Sequence, residues 1–317
     1  MSDRSLYTAA LVLALVTSFS VDRASAYCRM TTEGNSPIGE SPCVEKGEFL
    51  VWNNPCLSYA IDYRGSVWMD FADVEAAIDA SFETWEQADC GGSTTPNLIF
   101  KGLQSSTCQR AEFNTTGNVN TIAFLDPFEN PCADADTPDY SPFAFAVTTT
   151  WHNTSTGEIF DSDILINDEF ATGSFAGGPY ANCPDTGCVS TDADLASIVT
   201  HEVGHFIGIG HSTELDATMF ARADRRSVEK RTLEQDDRNA VCDIYPPGSL
   251  DDSCNAVPMG GLQLNCDANA YACDGPASSG GCSATGTPAD APWGALLVAL
   301  LGLTVVRRRS GRRGARS

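Results

Sequence analysis

Three of the four histidines in this 317-residue chain lie within eleven consecutive positions, in the stretch HEVGHFIGIGH. His201 and His205 are four residues apart, so on an α-helix their side chains project from the same face, one turn apart. Gly208 comes three residues later and, because it has no Cβ, can adopt a left-handed conformation that ends a helix. A chain that turns back there brings His211 towards the other two. The spacing therefore requires a helix, a turn and a returning segment.

The same stretch predicts a metal site. Three neutral imidazoles suit zinc and leave one coordination position for water. Glu202 is offset around the helix, so it can take a proton from that water during attack on a carbonyl and return it to the leaving amine. We predict His201, His205 and His211 as zinc ligands and Glu202 as the general base. The alternatives are a chance cluster and a structural zinc site, which usually needs a fourth protein ligand that no nearby Cys or His supplies.

Hydrophobic patterns elsewhere predict an α+β domain of about 200 residues. Alternating and β-branched residues indicate strands at 57–63, 97–103 and 120–126, and a hairpin formed by 143–151 and 158–167. Apolar residues at helical spacing indicate a helix over 73–88. The histidine-bearing helix has a capping-box-like start at Thr191 and Asp194, and a last helix has Thr232 as its N-cap.

The predicted hairpin carries two further features. Asp161, Asp163 and Asp168 supply oxygen ligands on and after its second strand, and such ligands suit calcium. These three aspartates are candidate calcium ligands, with a solvated acidic surface as the alternative. The fourth histidine, His152, lies in the predicted turn, so we expect it to be exposed.

The histidine stretch resembles the zinc signature of the metzincins and, among them, the matrixins. The segment ATMF places Met219 eight residues after His211, where matrixins carry the methionine of their Met-turn, and LEQDDRNAVCDIY is similar to the matrixin C-terminal helix. The resemblance implies a twisted mixed β-sheet, a long packing helix, an active-site helix and a C-terminal helix. It also implies that Met219 packs beneath the zinc and that Asp236 and Asp237 brace the active-site helix.

The chain departs from the matrixin pattern after the methionine. Phe220 and Ala221 stand where matrixins usually have Tyr-Pro, so the resemblance does not define the wall of the specificity pocket. Matrixins use extra histidines for a second, structural zinc, and only His152 remains for one here. We therefore do not expect that second site.

Both ends of the chain have the composition of export signals. Residues 1–26 place Arg4 before an apolar run and end in Ala-Ser-Ala, which predicts a signal peptide cleaved after Ala26, with an uncleaved anchor as the alternative. Residues 292–317 combine an apolar run with six arginines. With the preceding SSGGCSATG, they resemble the tripartite sorting tags of myxobacterial surface proteins, which implies removal of the tail and anchoring at Cys282. A plain membrane anchor is the alternative, although fourteen helical residues reach only about 21 Å.

Thirteen cysteines indicate an oxidising compartment. With Cys282 set aside twelve remain, and only Cys183 and Cys188 are close enough in sequence for a local bridge to be predicted. Residues 27–46 form an N-terminal lead, 47–246 the predicted catalytic domain, and 247–291 a stalk rich in Cys, Gly and Pro. The formal net charge of −23 argues against nucleic acid or an anionic membrane as a partner.

Together these patterns predict an exported, surface-anchored zinc metalloendopeptidase that is monomeric and hydrolyses protein or peptide substrates. Two alternatives stay open: a non-catalytic surface adhesin on a metalloprotease scaffold, and a zinc amidase that acts on cell-wall cross-links. The presence of Glu202 argues against the adhesin, because a non-catalytic scaffold has no need of a general base.

Overall fold

The structure is a computed structural model that describes residues 26–33, 43, 46–131, 133, 139–172, 176–189, 191–248 and 255–266, together with the backbone of 293–302. Residues 1–25 of the predicted signal peptide, Cys282 and the arginine-rich end lie outside the described residues. Within the described parts, no helix is both long enough and apolar enough to cross a membrane.

The described residues form three α-helices, one short 3-10 helix at Glu229–Arg231, and eleven strands. The helices are α1 (Phe71–Glu86), α2 (Leu195–Phe206) and α3 (Gln235–Ile244). The strands are β1 (Tyr27–Arg29), β2 (Cys56–Ile61), β3 (Ile99–Gly102), β4 (Thr121–Leu125), β5 (Ala144–Asn153), β6 (Ile159–Asn167), β7 (Tyr180–Ala181), β8 (Ala193–Asp194), β9 (Ile209–Ser212), β10 (Arg222–Ala223) and β11 (Trp293–Gly302).

A mixed sheet forms the centre of the domain, with strand order β10-β11-β5-β6-β4-β2-β3. Strands β6, β4, β2 and β3 are parallel to one another, and β5 is antiparallel to β6. The C-terminal strand β11 pairs antiparallel along β5, with Val298 opposite Thr148. Helices and a mixed sheet in one domain confirm the predicted α+β fold class.

Helices α1 and α2 pack together in the main apolar core. Phe82 of α1 meets Phe206 of α2 edge-on, with ring centroids 5.4 Å apart. Trp85 of α1 is fully buried and donates from Nε1 to the Thr200 carbonyl at 2.7 Å. Buried aromatic pairs and a satisfied indole N–H fix the position of α2, and this positions the histidines that α2 carries.

Disulfide bonds tie loops to this core. Those between described residues include Cys28–Cys43, Cys90–Cys242, Cys108–Cys266 and Cys183–Cys188. The last confirms the predicted local bridge. Residues 255–266, at the start of the predicted stalk, pack on the domain: besides the bond at Cys266, Ser58 Oγ donates to the Ala256 carbonyl at 2.6 Å.

Two helices begin later than the sequence predicted. The N-cap of α2 is Asp194 instead of Thr191. The Asp194 carboxylate accepts from the backbone N–H of Ser197 at 2.9 Å. The N-cap of α3 is Glu234 instead of Thr232, in a reciprocal capping box with Asp237. A carboxylate accepts helix N–H groups and also complements the positive end of the helix dipole. The caps predicted at Thr191 and Thr232 were wrong for this reason.

Candidate metal centre

The three histidines of the sequence pattern converge on one point. Helix α2 carries His201 and His205, and β9, which follows the turn at Gly208, carries His211. The Nε2 atom of His205 lies 3.1 Å from Nε2 of His201 and 3.2 Å from Nε2 of His211. All three side chains are buried. In the part of the chain that the structure describes, they alone form a group of three or more residues placed to share a metal ion.

Backbone carbonyls orient two of these rings. His201 Nδ1 lies 2.6 Å from the Thr218 oxygen, and His205 Nδ1 lies 2.8 Å from the Ile209 oxygen. A carbonyl only accepts, so each Nδ1 carries the proton and each Nε2 presents its lone pair. Burial lowers the pKa of both rings well below the ordinary value, so both are neutral. Acceptor nitrogens that face each other repel unless a cation joins them, and this donor set fits zinc.

Two glycines and a methionine shape the centre. Gly208 has a φ of 87°, the left-handed conformation that the spacing requires, and Met30 N donates to its carbonyl at 2.9 Å. Met219 is fully buried, and its sulfur lies so close to Gly204 of α2 that a Cβ at that position would collide with it. The methionine therefore packs against the helix between the first two histidines, as the resemblance implies.

Glu202 lies beside the histidines and is fully buried. Burial raises the pKa of its carboxyl group to about 8, although a hydrogen bond from Thr148 and the charge of Lys230 act in the opposite direction. Its Oε2 accepts from Thr148 Oγ1 at 2.6 Å, whereas its Oε1 has no hydrogen-bond partner among the described residues. A carboxyl group in this range can take up and release a proton near neutral pH.

Comparison with known proteins identifies the family. The family described as Matrixin matches residues 51–246, which is more than half of the chain. The chain belongs to the matrixin family. Metalloendoproteinase 1-MMP of Arabidopsis thaliana is 38% identical over 199 residues, which cover 62% of this chain and 44% of that protein. Metalloendoproteinase 1 of Glycine max is 39% identical over 57 residues, 18% of each chain. The matched part of this chain thus spans less than half the length of these curated relatives.

Opposite charges hold the Met-turn of this matrixin from two sides. The Asp237 carboxylate accepts from Thr218 N at 2.8 Å and from Met219 N at 3.0 Å. The buried Lys230 Nζ donates to the Thr218 carbonyl at 2.6 Å and to the Phe220 carbonyl at 2.5 Å. Because Thr218 also holds His201, this network fixes the first histidine ring. Nothing in the sequence singled out Lys230, which lies in a segment of mixed polar residues and, in the structure, in the short 3-10 helix Glu229–Arg231.

Asp236 braces the other side of the centre. Its Oδ1 accepts from the backbone N–H groups of Ala26 and Tyr27, each at 3.1 Å, and its Oδ2 accepts from Ser212 Oγ at 2.6 Å. Ser212 follows His211 directly on β9, and β1 pairs with β9. The hydrogen bonds of Asp236 and Asp237 therefore go to β9, the N-terminal strand, the start of α3 and the Met-turn, rather than to the active-site helix that the resemblance implied.

The three candidate calcium ligands do not come together. Asp161 and Asp163 are fully buried on β6, and Asp163 accepts from Thr121 N at 2.6 Å and from Glu112 N at 2.8 Å. Asp168 follows the strand five residues later, about 17 Å along an extended chain. There the Asp168 carboxylate accepts from Ser66 Oγ at 2.6 Å and from the backbone N–H of Val67 at 2.8 Å. Of the three aspartates, only Asp161 and Asp163 could therefore bind the same calcium ion.

The fourth histidine lies in a different place from the one predicted. His152 is 2% exposed and belongs to β5, whose strand continues to Asn153 before a turn at 154–156. Burial lowers its pKa. The expectation of an exposed turn histidine was wrong because the β-branched run before it extends the strand past the predicted turn.

A small cavity lies one helical turn before His201. It has a volume of about 90 Å³, and its walls include Ser197 and Ile198 of α2, Ala217 beside the Met-turn, Arg225 and Lys230. The segment that follows the atypical Phe220 and Ala221 thus supplies three cations, Arg222, Arg225 and Lys230, to the cavity wall, which the family pattern did not define.

Proposed function

We propose that this matrixin is a zinc-dependent metalloendopeptidase in which Glu202 is the general base. The observation that carries the proposal is the convergence of the His201, His205 and His211 Nε2 atoms beside a buried carboxylate. Membership of the matrixin family and the names of the plant relatives support it.

His201, His205 and His211 would hold the zinc, which when bound supplies a Lewis acid that polarises the scissile carbonyl. The protein contributes proton transfer and orientation. Glu202 Oε1 accepts a proton from the attacking water while Oε2 keeps its hydrogen bond to Thr148. The same carboxyl group then donates the proton to the leaving nitrogen as the C–N bond breaks. The carbonyls of Thr218 and Ile209 keep two of the rings oriented throughout.

The cavity beside α2 is the place for a substrate side chain next to the scissile bond. At about 90 Å³ it accepts a side chain of a few heavy atoms. Lys230 is occupied by backbone carbonyls, so Arg225 is the cation of the wall with a buried nitrogen, Nη2, that has no hydrogen-bond partner among the described residues. We therefore propose a protein or peptide substrate with a small or short polar side chain at this position.

The experiment that tests the proposed function compares the wild-type protein with Glu202→Ala on a peptide library, with bound zinc measured in both. Glu214→Gln is the matched control, because Glu214 is exposed and lies only three residues after His211. We expect the wild type and the control to bind zinc and cleave peptides. We expect Glu202→Ala to bind zinc without cleavage.

Two results would overturn the proposal. Cleavage that survives Glu202→Ala would exclude Glu202 as the base. A wild-type protein that binds zinc but cleaves no peptide would instead favour the adhesin, or the amidase if it releases peptides from cell-wall material. The library therefore includes an isolated cell-wall fraction as a separate substrate.

Export and surface anchoring remain part of the proposal. Disulfide bonds in the domain support an oxidising compartment. Removal of the tail at the sorting tag, with anchoring at Cys282, would also uncover the edge of β5, because β11 pairs along that strand. Mass spectrometry of the protein from its native cell surface tests both ends: we expect a chain that begins at Tyr27 and lacks residues 292–317.

Calcium binding stays a prediction, now narrowed to Asp161 and Asp163. Asp161 Oδ2 is buried and has no hydrogen-bond partner in the described part of the chain, which leaves one oxygen for a cation. Calorimetric titration of calcium into the zinc-loaded protein and into Asp161→Asn tests it. Equal heats in the two proteins would exclude this position.

A further inference from the structure

A threonine on the neighbouring strand holds the catalytic carboxylate. Thr148 lies on β5, is fully buried, and donates from Oγ1 to Glu202 Oε2 at 2.6 Å. The same oxygen lies 3.3 Å from the Glu202 backbone carbonyl. The hydroxyl group therefore lies between the side chain and the backbone of one residue, at the point where β5 meets α2.

This contact leaves the two carboxylate oxygens in different situations. Oε2 accepts from Thr148, and Oε1 has no hydrogen-bond partner among the described residues. The nearby Lys230 does not compete for Oε2, since its ammonium group donates to carbonyls of the Met-turn. One oxygen is thus fixed by a single donor while the other stays open to accept a proton.

The residue type and its place on the strand suit this task. A β-branched side chain on a strand has few χ1 rotamers, so the hydroxyl group of a threonine is oriented before any substrate arrives. Residues two apart on a strand point to the same face, and Thr150 is therefore a natural comparison. It is also fully buried, but its Oγ1 pairs with Ser162 Oγ at 3.1 Å instead of with Glu202.

We propose that Thr148 is a positioning residue for the proton transfer: its hydroxyl group holds Glu202 Oε2 so that Oε1 faces the reacting water. The proposal rests on the proposed function, because it assigns a partner to the base of that reaction. Thr148 does not itself exchange a proton with substrate. Its contribution is the orientation of a carboxylate that would otherwise rotate in a site with no other donor to its side chain among the described residues.

The test uses the full chain with three substitutions: Thr148→Val, Thr148→Ser and Thr150→Val. Valine keeps the shape of threonine and removes the hydroxyl group. We expect Thr148→Val to lower kcat by roughly 10- to 100-fold, the factor for a hydrogen bond to a charged group, with KM and zinc content unchanged. We expect Thr148→Ser to recover kcat to within about threefold of the wild type, because it restores the donor with a less restricted rotamer. Thr150→Val loses a buried hydrogen bond on the same strand and should leave kcat unchanged.

Crystal structures of the same proteins, with and without zinc, give a second measurement. We expect Glu202 to have one side-chain conformation in the wild type, Thr148→Ser and Thr150→Val, and more than one in Thr148→Val. A Thr148→Val protein with wild-type kcat and a single Glu202 conformation would overturn the proposal. If the wild type cleaves no peptide, the proposed function fails, and the conformation of Glu202 alone then decides the role of Thr148.

Discussion

Two buried clusters of ionisable side chains in this matrixin meet their hydrogen-bonding needs in opposite ways. In the first, the Nε2 atoms of His201, His205 and His211 face one another, and backbone carbonyls take up the outward Nδ1 of the first two rings. In the second, the carboxylates of Asp161 and Asp163 receive donors from outside the pair. Two backbone N–H groups donate to Asp163, and Asn118 Nδ2 donates to Asp161 at 2.6 Å.

The two clusters differ in how many of their acceptors are met by a donor from the protein. Acceptor nitrogens that converge repel one another, and this repulsion supports the metal ion that we propose for the histidine cluster. The Asp163 oxygens accept from backbone N–H groups and Asp161 Oδ1 accepts from Asn118, and these bonds stabilise the strand, whereas Asp161 Oδ2 has no hydrogen-bond partner among the described residues. Residue type alone does not distinguish these cases, because both clusters consist of good metal ligands.

The largest expected effect comes from breaking the histidine cluster. His205→Ala removes the central ring, which lies within 3.2 Å of both others. We expect loss of stoichiometric zinc and a fall in kcat/KM of at least about a thousandfold. The control is His152→Ala, which removes the other buried histidine from β5 and should keep the zinc. Zinc analysis by mass spectrometry checks both, and full zinc occupancy in His205→Ala would contradict the assignment.

Disrupting the carboxylate cluster of Asp161 and Asp163 should lower the stability of the protein and leave its activity unchanged. Asp163→Asn retains one acceptor but places an NH₂ group against a backbone N–H, so one buried donor loses its partner. We expect the free energy of unfolding to fall by about 1–3 kcal/mol, with kcat per folded molecule unchanged. Urea unfolding measures this against Glu75→Gln, a substitution on the exposed face of α1. A loss of activity without a loss of stability would instead place Asp163 in the functional site.

A third buried ionisable group, Lys230, should make the stability of the protein depend on pH. Burial lowers the pKa of Lys230 from 10.5 to about 7, so the folded protein binds this proton less tightly than the unfolded chain does. Its contribution to stability is therefore present above about pH 10.5 and is lost as the pH falls through about 7. Lys230→Met should cost about 1–2 kcal/mol at pH 7 by leaving carbonyls without a donor, and the difference from wild type should grow towards pH 10. The exposed Lys101→Met is the control, and a difference that does not change with pH would contradict the prediction.

The sequence predicted the histidine cluster well because its geometry is local. A four-residue spacing on a helix and a glycine turn bring the ligands together within eleven residues. Thr148 could not be found in this way, because its contact with Glu202 joins positions 54 apart and depends on how α2 packs against β5.

Contacts between residues far apart in the sequence also explain the wrong predictions for a shared site of the three aspartates and for His152. The donors to Asp163 come from Thr121 and Glu112, which are 42 and 51 residues away. Sequence composition gives the acceptors of such a cluster but not their partners. His152 was placed in a turn because turn residues follow it, whereas pairing with β6 extends the strand.

The smallest expected effect tests how far the network around the histidines extends. In the full-length chain, which retains Ala26, Asp236→Asn keeps Oδ1 for the N–H groups of Ala26 and Tyr27 and replaces Oδ2 by an NH₂ group facing Ser212. A serine hydroxyl group can accept as well as donate, so it can rotate to keep a hydrogen bond. We therefore expect a loss of only about 0.5–1 kcal/mol and a zinc affinity within about threefold of wild type. Asp236→Ala removes both acceptors and should cost more. If Asp236→Asn instead lowered zinc affinity as strongly as Asp236→Ala, the negative charge beside His211 would stabilise the metal centre directly, and the centre would not rest on neutral donors alone.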